Sequence, residues 1–362
     1  MRKICGVLFY WLVIVSFSKV HAQPFSGGTS IGVQGHYGSF LTRSPKAEYL
    51  RDSYTYFGEV YFQQQTDGSR PWHQANHLPQ WGAGIFFGNT GSRQYMGHMA
   101  GAFAFMNLPL IKKAAFSSKL RVGLGTGWIQ HPYDKEDNHK NVMIGSALNA
   151  YINFVWQNEY HIAPNTYINA GLSFSHLSNG GSTLPNLGLN IPALSFGMRY
   201  DTRAPAMKHN TSEPAKTPKL SYRIFATAGP KQAPWVESKR YLVNTLQTEV
   251  TKHTASNNQY GAGLILFYDR SLEVHPDGIP SSKRKNNKLQ AGVYAAYEHN
   301  FGRLSVPLQL GAYVFNQDMA PLLFQNLGLR YQFSPKLIAQ FLMKTHMGQA
   351  DHIGLGLGYT IK

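Results

Sequence analysis

The feature that most constrains this chain is a recurring segment of 9–14 residues in which apolar side chains alternate with small or polar ones. Trp81–Gly88 (WGAGIFFG), Leu120–Trp128 (LRVGLGTGW), Tyr260–Tyr268 (YGAGLILFY), Gln290–Tyr297 (QAGVYAAY), Pro307–Phe315 (PLQLGAYVF), Asn326–Phe333 (NLGLRYQF) and Ile353–Ile361 (IGLGLGYTI) all carry it. A period of two marks a β-strand, because successive side chains point to opposite faces. Alternation alone does not separate a half-buried soluble sheet from a membrane-spanning one, but length does. A tilted spanning strand needs about 9–11 residues, and these segments match. No later stretch holds the ~18 consecutive apolar residues of a spanning helix. Short turns at 161–165, 256–258, 300–302 and 334–336 alternate with long polar loops at 129–141, 179–190 and 271–287. That is the habit of outer-membrane barrels, whose short turns face the periplasm. The expected fold is all-β: a transmembrane antiparallel β-barrel. About 16 candidate strands can be counted, and since closed barrels have even numbers the central expectation is about 14, within 12–16. The pattern breaks at 65–79 and 204–217, which are long where short turns are due.

Composition removes other classes. Charged residues make up 14% of the 362 and aromatics 13%, whereas disorder needs many charges and few aromatics. Sustained heptads are absent, which excludes a coiled coil. The one cysteine, Cys5, leaves no disulfide framework and no Cys-based metal site. At the start, Met1-Arg2-Lys3 precedes a 12-residue apolar run, Gly6–Phe17, which ends at Val20-His21-Ala22. A basic start, a run too short to span and a small residue at the end read as a cleaved signal peptide over 1–22. Cys5 precedes the run, which argues against a lipoprotein anchor. The remainder, 23–362, reads as one outer-membrane barrel domain. Losing Arg2, Lys3 and Lys19 takes the formal net charge from +16 to +13. The basic run Lys283-Arg284-Lys285 with Lys288 suits lipid phosphates, and an exported barrel is not expected to meet nucleic acid. At the chain end Leu357, Tyr359 and Ile361 share one face, similar to the C-terminal assembly signal of outer-membrane barrels but without a final aromatic.

Two patterns look like chemistry and are better read as structure. Gly123-x-Gly125-x-Gly127 and Gly354-x-Gly356-x-Gly358 open no helix and lack the Lys-Ser or Lys-Thr of a phosphate loop. Glycines two apart in a strand relieve crowding. His73 and His77 are spaced H-x-x-x-H but flank no helical pattern, so loop or interface histidines are expected there rather than a metal site.

The constellation that carries chemistry lies in 170–190, AGLSFSHLSNGGSTLPNLGLN. Ala170, Leu172, Phe174, His176 and Ser178 fall on one face of a strand, and Gly171, Ser173 and Ser175 on the other. In a barrel the apolar face meets lipid, so His176 and Ser178 end a lipid-facing stripe. Their two-residue spacing points both side chains the same way, roughly 6–7 Å apart along the strand. A histidine beside a serine is the minimal unit for nucleophilic acyl transfer. On its own such a pair is also what interfacial polar residues produce by chance.

The surrounding residues narrow the reading. His176-x-Ser178-Asn179 followed by Pro185-Asn186-x-Gly188 resembles the PagL-type outer-membrane lipid A 3-O-deacylases and the related acyloxyacyl hydrolases. A looser likeness runs from about Gly97 to Arg203, taking in strand 120–128 and an expected strand at Asn141–Phe154. The resemblance implies an outer-membrane serine esterase acting on lipid A, lipopolysaccharide or a similar outer-leaflet lipid, with neither metal nor cofactor. It implies that His176 is the general base, Ser178 the nucleophile and Asn186 an oxyanion-hole residue, with Asn179 beside it and Gly188 keeping the turn. The glutamate that orients the histidine in that family falls at Asn190. An asparagine there accepts a hydrogen bond but supplies no charge. The alternative is a non-catalytic barrel, a pore or structural protein that retains a degenerate motif.

Overall fold

The computed structural model describes residues 28–42, 45–204, 220–233, 239–254, 257–273, 288–316 and 321–361. Its strands form two closed antiparallel barrels of eight, one from the N-terminal half and one from the C-terminal half. The first consists of β1 (Thr29–Gly38), β2 (Thr55–Gln65), β3 (Gln80–Asn89), β4 (His98–Lys112), β5 (Phe116–Ile129), β6 (Leu148–Ala163), β7 (Thr166–Ser178) and β8 (Leu189–Arg203). It closes by pairing β1 with β8, Val33 opposite Met198. The second comprises β9 (Leu220–Gln232), β10 (Arg240–His253), β11 (Asn258–Asp269), β12 (Leu289–Phe301), β13 (Leu304–Phe315), β14 (Leu323–Gln332), β15 (Leu337–His346) and β16 (Gln349–Thr360). It closes by pairing β16 with β9, Leu357 opposite Ala226. No described helix is long and apolar enough to cross a membrane.

Alternation sets the two faces. On β1 and β2, Ile31, Val33, Val60 and Phe62 point outward, while Gln34, His36, Glu59 and Gln63 are buried inside. This is the apolar-out, polar-in pattern of a membrane barrel. Eight strands enclose a space just wide enough for side chains, and both interiors are filled. In the first barrel Tyr61, Phe86, Phe103, Phe105 and Tyr151 form one buried layer. Beside it Arg121 is ion-paired with Glu59, and Lys119 and Arg199 meet Glu159 at 2.5 and 3.2 Å. In the second, Arg330 bridges Glu249 (2.9 Å) and Glu298 (2.5 Å) over the Phe225 ring. Lys231 bridges Asp269 (2.8 Å) and Asp351 (2.7 Å). Buried charges survive only when paired in this way.

The fold is the expected all-β barrel architecture, and its 16 described strands equal the number of candidates and lie within 12–16, but they close as two rings of eight rather than one. Strand periodicity reports which residues pair with some neighbour, not which strand closes the ring. The anomalous segment at 204–217 is the link from β8 to β9, between the barrels. The expected signal peptide 1–22 and the basic residues Lys283, Arg284 and Lys285 lie outside the described residues. The glycine runs serve packing: a side chain at Gly127 would meet Leu177 at 2.5 Å, and one at Gly358 would meet the Phe225 ring at 2.2 Å.

Loops 39–54, 90–97, 130–147 and 179–188 gather at one end of the first barrel. Loop 179–188 there meets the end of β9, where Gln232 Oε1 accepts from the Leu184 N–H at 2.7 Å. At the other end loop 66–79 contains a helical turn, Pro71–Ala75, that reaches the second barrel. Asn76 Oδ1 lies 2.7 Å from His299 Nε2, and Trp72 packs against Gly302. The barrels stand side by side and point the same way. The turn includes His73, contrary to the expectation of no helix there; five residues are too few to show a helical period. His73 pairs with Asp67 at 3.2 Å.

Candidate active site

β7 reaches the loop end of its barrel with Leu172 (52% exposed) and Phe174 (37%) on the outer face, and Ser173 and Ser175 buried within. His176 and Ser178 continue the outer row. The imidazole bridges two partners: Nε2 lies 3.0 Å from Ser178 Oγ, and Nδ1 lies 2.8 Å from Asn190 Oδ1. Asn190 is not in the loop, as its sequence position suggested. It sits on β8, directly opposite His176 in the strand register, and its carbonyl accepts from the Leu41 N–H at 2.7 Å. The three side chains thus stand on two paired strands rather than on a mobile turn.

This arrangement has a definite polarity. Asn190 Oδ1 can only accept, so the proton between them belongs to His176 Nδ1. Nε2 then carries the lone pair and faces the Ser178 hydroxyl, as a general base must. If the Asn190 amide turned over, its NH2 would donate to Nδ1 and the proton would move to Nε2. Histidine would then donate to serine, and proton abstraction would stop. An asparagine supports both settings, whereas a carboxylate supports only the first.

Loop 179–188 closes over the pair and leaves Ser178 only 5% exposed. Asn179 shapes its first turn: Oδ1 accepts from Gly181 N–H (3.1 Å) and Thr183 N–H (3.3 Å), and Nδ2 donates to Thr183 O (2.8 Å) and Ser146 Oγ (2.9 Å). Asn179 thus shapes its own loop and ties it to Ser146 of loop 130–147. Asn186 reaches back, its Oδ1 accepting from the Asn179 N–H at 3.2 Å. That fixes Asn186 to the residue after Ser178 and leaves its amide nitrogen as the donor. Gly188 has φ +75°, and a side chain there would lie 2.7 Å from His176 Cε1. Glycine is required twice over, for the backbone and for room beside the imidazole.

Loop 130–147 supports the site from below, and the sequence did not point to it. Ile144 bridges to Asn186, Gly188 N–H donates to Met143 O (3.1 Å), and Gly145 makes room for the Leu184 and Pro185 backbone. The strand expected at Asn141–Phe154 begins only at Leu148. Asn141 instead braces the loop, donating to His131 O (2.8 Å) and accepting from Met143 N–H (3.1 Å). Lys288 lies at the same end of the molecule, at the close of the β11–β12 connection. Among the described residues, no group of three or more His, Cys, Asp or Glu could hold a metal.

The family comparison divides the chain at the same place as the structure. The model for lipid A 3-O-deacylase (PagL) matches residues 56–199, and that for the acyloxyacyl hydrolase C-terminal domain matches 220–362. The chain belongs to the PagL lipid A 3-O-deacylase and acyloxyacyl hydrolase family. The PagL match covers most of the first barrel, including His176, Ser178 and Asn190, and the second match covers the second barrel. No curated protein matches the chain. Among solved structures it is similar to Neisserial surface protein A, at 9% identity and TM-score 0.34 over 48% of this chain and 96% of that one. It is also similar to the Pseudomonas aeruginosa outer membrane protein OpdK, at 11% identity and TM-score 0.25 over 92% and 98%. This member of the PagL family is an outer-membrane β-barrel of a hydrolase family.

Proposed function

We propose that this protein is a serine esterase that removes an ester-linked acyl chain from lipid A or a related lipid of the outer leaflet. The observation that carries the reading is the bridging imidazole, 3.0 Å from Ser178 and 2.8 Å from Asn190, on the lipid-facing side of a barrel rim. Termini and short turns of such barrels face the periplasm, so the opposite, site-bearing end lies at the outer leaflet.

Ser178 Oγ attacks the ester carbonyl as its proton passes to His176 Nε2. The carbonyl oxygen gains the negative charge, and the Asn186 amide N–H, on a side chain tied through its Oδ1 to the residue after Ser178, is the donor assigned to hold it. Collapse breaks the ester C–O bond, and the departing sugar oxygen takes the proton from His176. Water then repeats the cycle: its oxygen bonds the acyl carbon as His176 takes its proton, the acyl–Ser178 bond breaks as His176 returns that proton to Ser178 Oγ, and the fatty acid leaves. With its Oδ1 toward Nδ1, Asn190 holds the neutral ring in the productive tautomer, without supplying charge to the imidazolium.

Position 190 also supports the second reading, a barrel whose motif no longer turns over. The filled interiors argue against its pore form. Mass spectrometry of lipid A decides between them. Cells expressing the wild-type chain should lose one acyl group relative to cells expressing Ser178→Ala. Identical profiles, with both proteins folded in the membrane, would leave the non-catalytic barrel.

A further inference from the structure

The two barrels meet at the loop that covers Ser178, and the second barrel is built to receive it. β9 and β16 pair from Thr360–Arg223 up to Leu355–Ala228, and Gly229 still packs against the Ile353 carbonyl. The ladder stops at Pro230, which has no N–H to give it, so the last residues of β9 (231–232) and the first of β16 (349–352) make no ladder pairs with each other and form a fork. Lys231 on one prong and Asp351 on the other are ion-paired at 2.7 Å. Residues 180–184 of the site loop occupy the fork. Gln232 on β9 donates its backbone N–H to Gly181 O at 3.0 Å, and its side-chain Oε1 accepts from the Leu184 N–H at 2.7 Å. On the β16 side, an atom added to Gly180 would meet Ile353 at 2.4 Å, and one added to Gly181 would meet Asp351 O at 2.6 Å. Both glycines have positive φ, +65° and +84°. The loop therefore lies flush against both prongs, in a conformation that leaves no space for side chains.

We infer that the second barrel serves as a socket for the active-site loop, and that Gln232 is a positioning residue for the chemistry of the first barrel. Gln232 takes up the loop at both ends of the Gly181–Leu184 stretch. This stretch lies between Asn179, the neighbour of Ser178, and Asn186, the oxyanion donor of the mechanism above. Gln232 touches none of the reacting groups, yet it fixes the span on which the Asn179–Asn186 bond depends. The first barrel closes on its own strands and carries the His176–Ser178–Asn190 set by itself. What the second barrel adds is the shape of the cover. The inference rests on the esterase reading for its kinetic arm only.

The test uses full-length protein in detergent or proteoliposomes, with folding checked by heat-modifiable mobility. Gln232→Met keeps the volume and removes the acceptor, and Gln232→Glu keeps an acceptor for the Leu184 N–H. Two readouts are taken: hydrogen–deuterium exchange of 179–188, which needs no turnover, and kcat with KM on purified lipid A. Gln232→Met should speed exchange in that loop and lower kcat about tenfold, the worth of one buried hydrogen bond, with KM little changed. Gln232→Glu should restore both. Unchanged loop exchange in Gln232→Met would overturn the inference whatever the activity. So would faster exchange with wild-type kcat. If the wild-type protein hydrolyses no lipid A, the esterase reading fails, and the exchange data alone decide whether the fork orders the loop.

Discussion

Exchanging Asn190 for aspartate replaces an amide by a carboxylate of the same size, so the 2.8 Å contact to His176 Nδ1 can be kept without moving β8. A glutamate adds a methylene that this spacing does not accommodate without a shift. The size of the effect follows from the bond. A neutral hydrogen bond contributes about 0.5–1.5 kcal/mol and one to a charged partner about 1.5–3, a difference of roughly 1–1.5 kcal/mol. The charge on histidine exists only while it holds the serine proton, so the gain falls on the transition state and on kcat. It corresponds to about a tenfold increase. The carboxylate also removes the inverted tautomer, because it has no N–H to offer Nδ1, and any fraction of enzyme idle in that state adds to the gain. Asn190→Leu should act oppositely, removing the 2.8 Å acceptor of Nδ1–H at a cost of about 1–3 kcal/mol, or roughly 5–150-fold in rate. Fatty-acid release from lipid A by the folded proteins in mixed micelles measures both. A wild-type kcat in Asn190→Leu, together with no gain in Asn190→Asp, would show that Asn190 does not orient the base.

Other perturbations separate chemistry from scaffold. Ser178→Ala should abolish acyl release while the barrel folds and inserts normally, read by heat-modifiable mobility beside the lipid A assay. Gly188→Ala places a methyl 2.7 Å from His176 Cε1 on a backbone of φ +75°, and should lower kcat about 100-fold by displacing the imidazole. Glu59→Gln removes the partner of the fully buried Arg121 and should destabilise the first barrel by about 3–5 kcal/mol. Urea unfolding monitored by tryptophan fluorescence checks this, and an unchanged midpoint would refute it.

How much could be read beforehand depended on range. The outward stripe of β7 and the facing of His176 and Ser178 follow from a period of two, a local property. The strand pattern was likewise visible to the chain end. Ring closure was not, because Val33 meets Met198 and Ala226 meets Leu357 through pairings more than a hundred residues apart. The same limit hid the partners of the site. Family resemblance singles out Asn190, but its sequence position suggests a loop, and only register shows it facing His176. Asn179-Gly180-Gly181 is a turn signal in sequence, yet nothing local tells that the amide holds the turn together. Gln232 carries no local mark at all; its role exists only once β9 ends beside a loop from the other barrel. The overlong segment 204–217 breaks the single-barrel pattern where the chain passes from one unit to the other, but its length alone does not distinguish a link from a long turn.

Both barrel interiors are packed with rings and ion pairs, and this governs how reactants travel. Among the described residues, packed side chains fill the middle of both lumens, and the serine sits on the outer wall. On the esterase reading, substrate therefore arrives, and the fatty acid and the shortened lipid depart, by lateral diffusion in a single leaflet. Encounter is two-dimensional. The quantity that sets the turnover of such an enzyme is the mole fraction of its lipid in the surface, not an amount per litre. Diluting the substrate with inert lipid at constant total concentration in water should slow the reaction, whereas adding more vesicles of the same composition should not change the rate per bound enzyme.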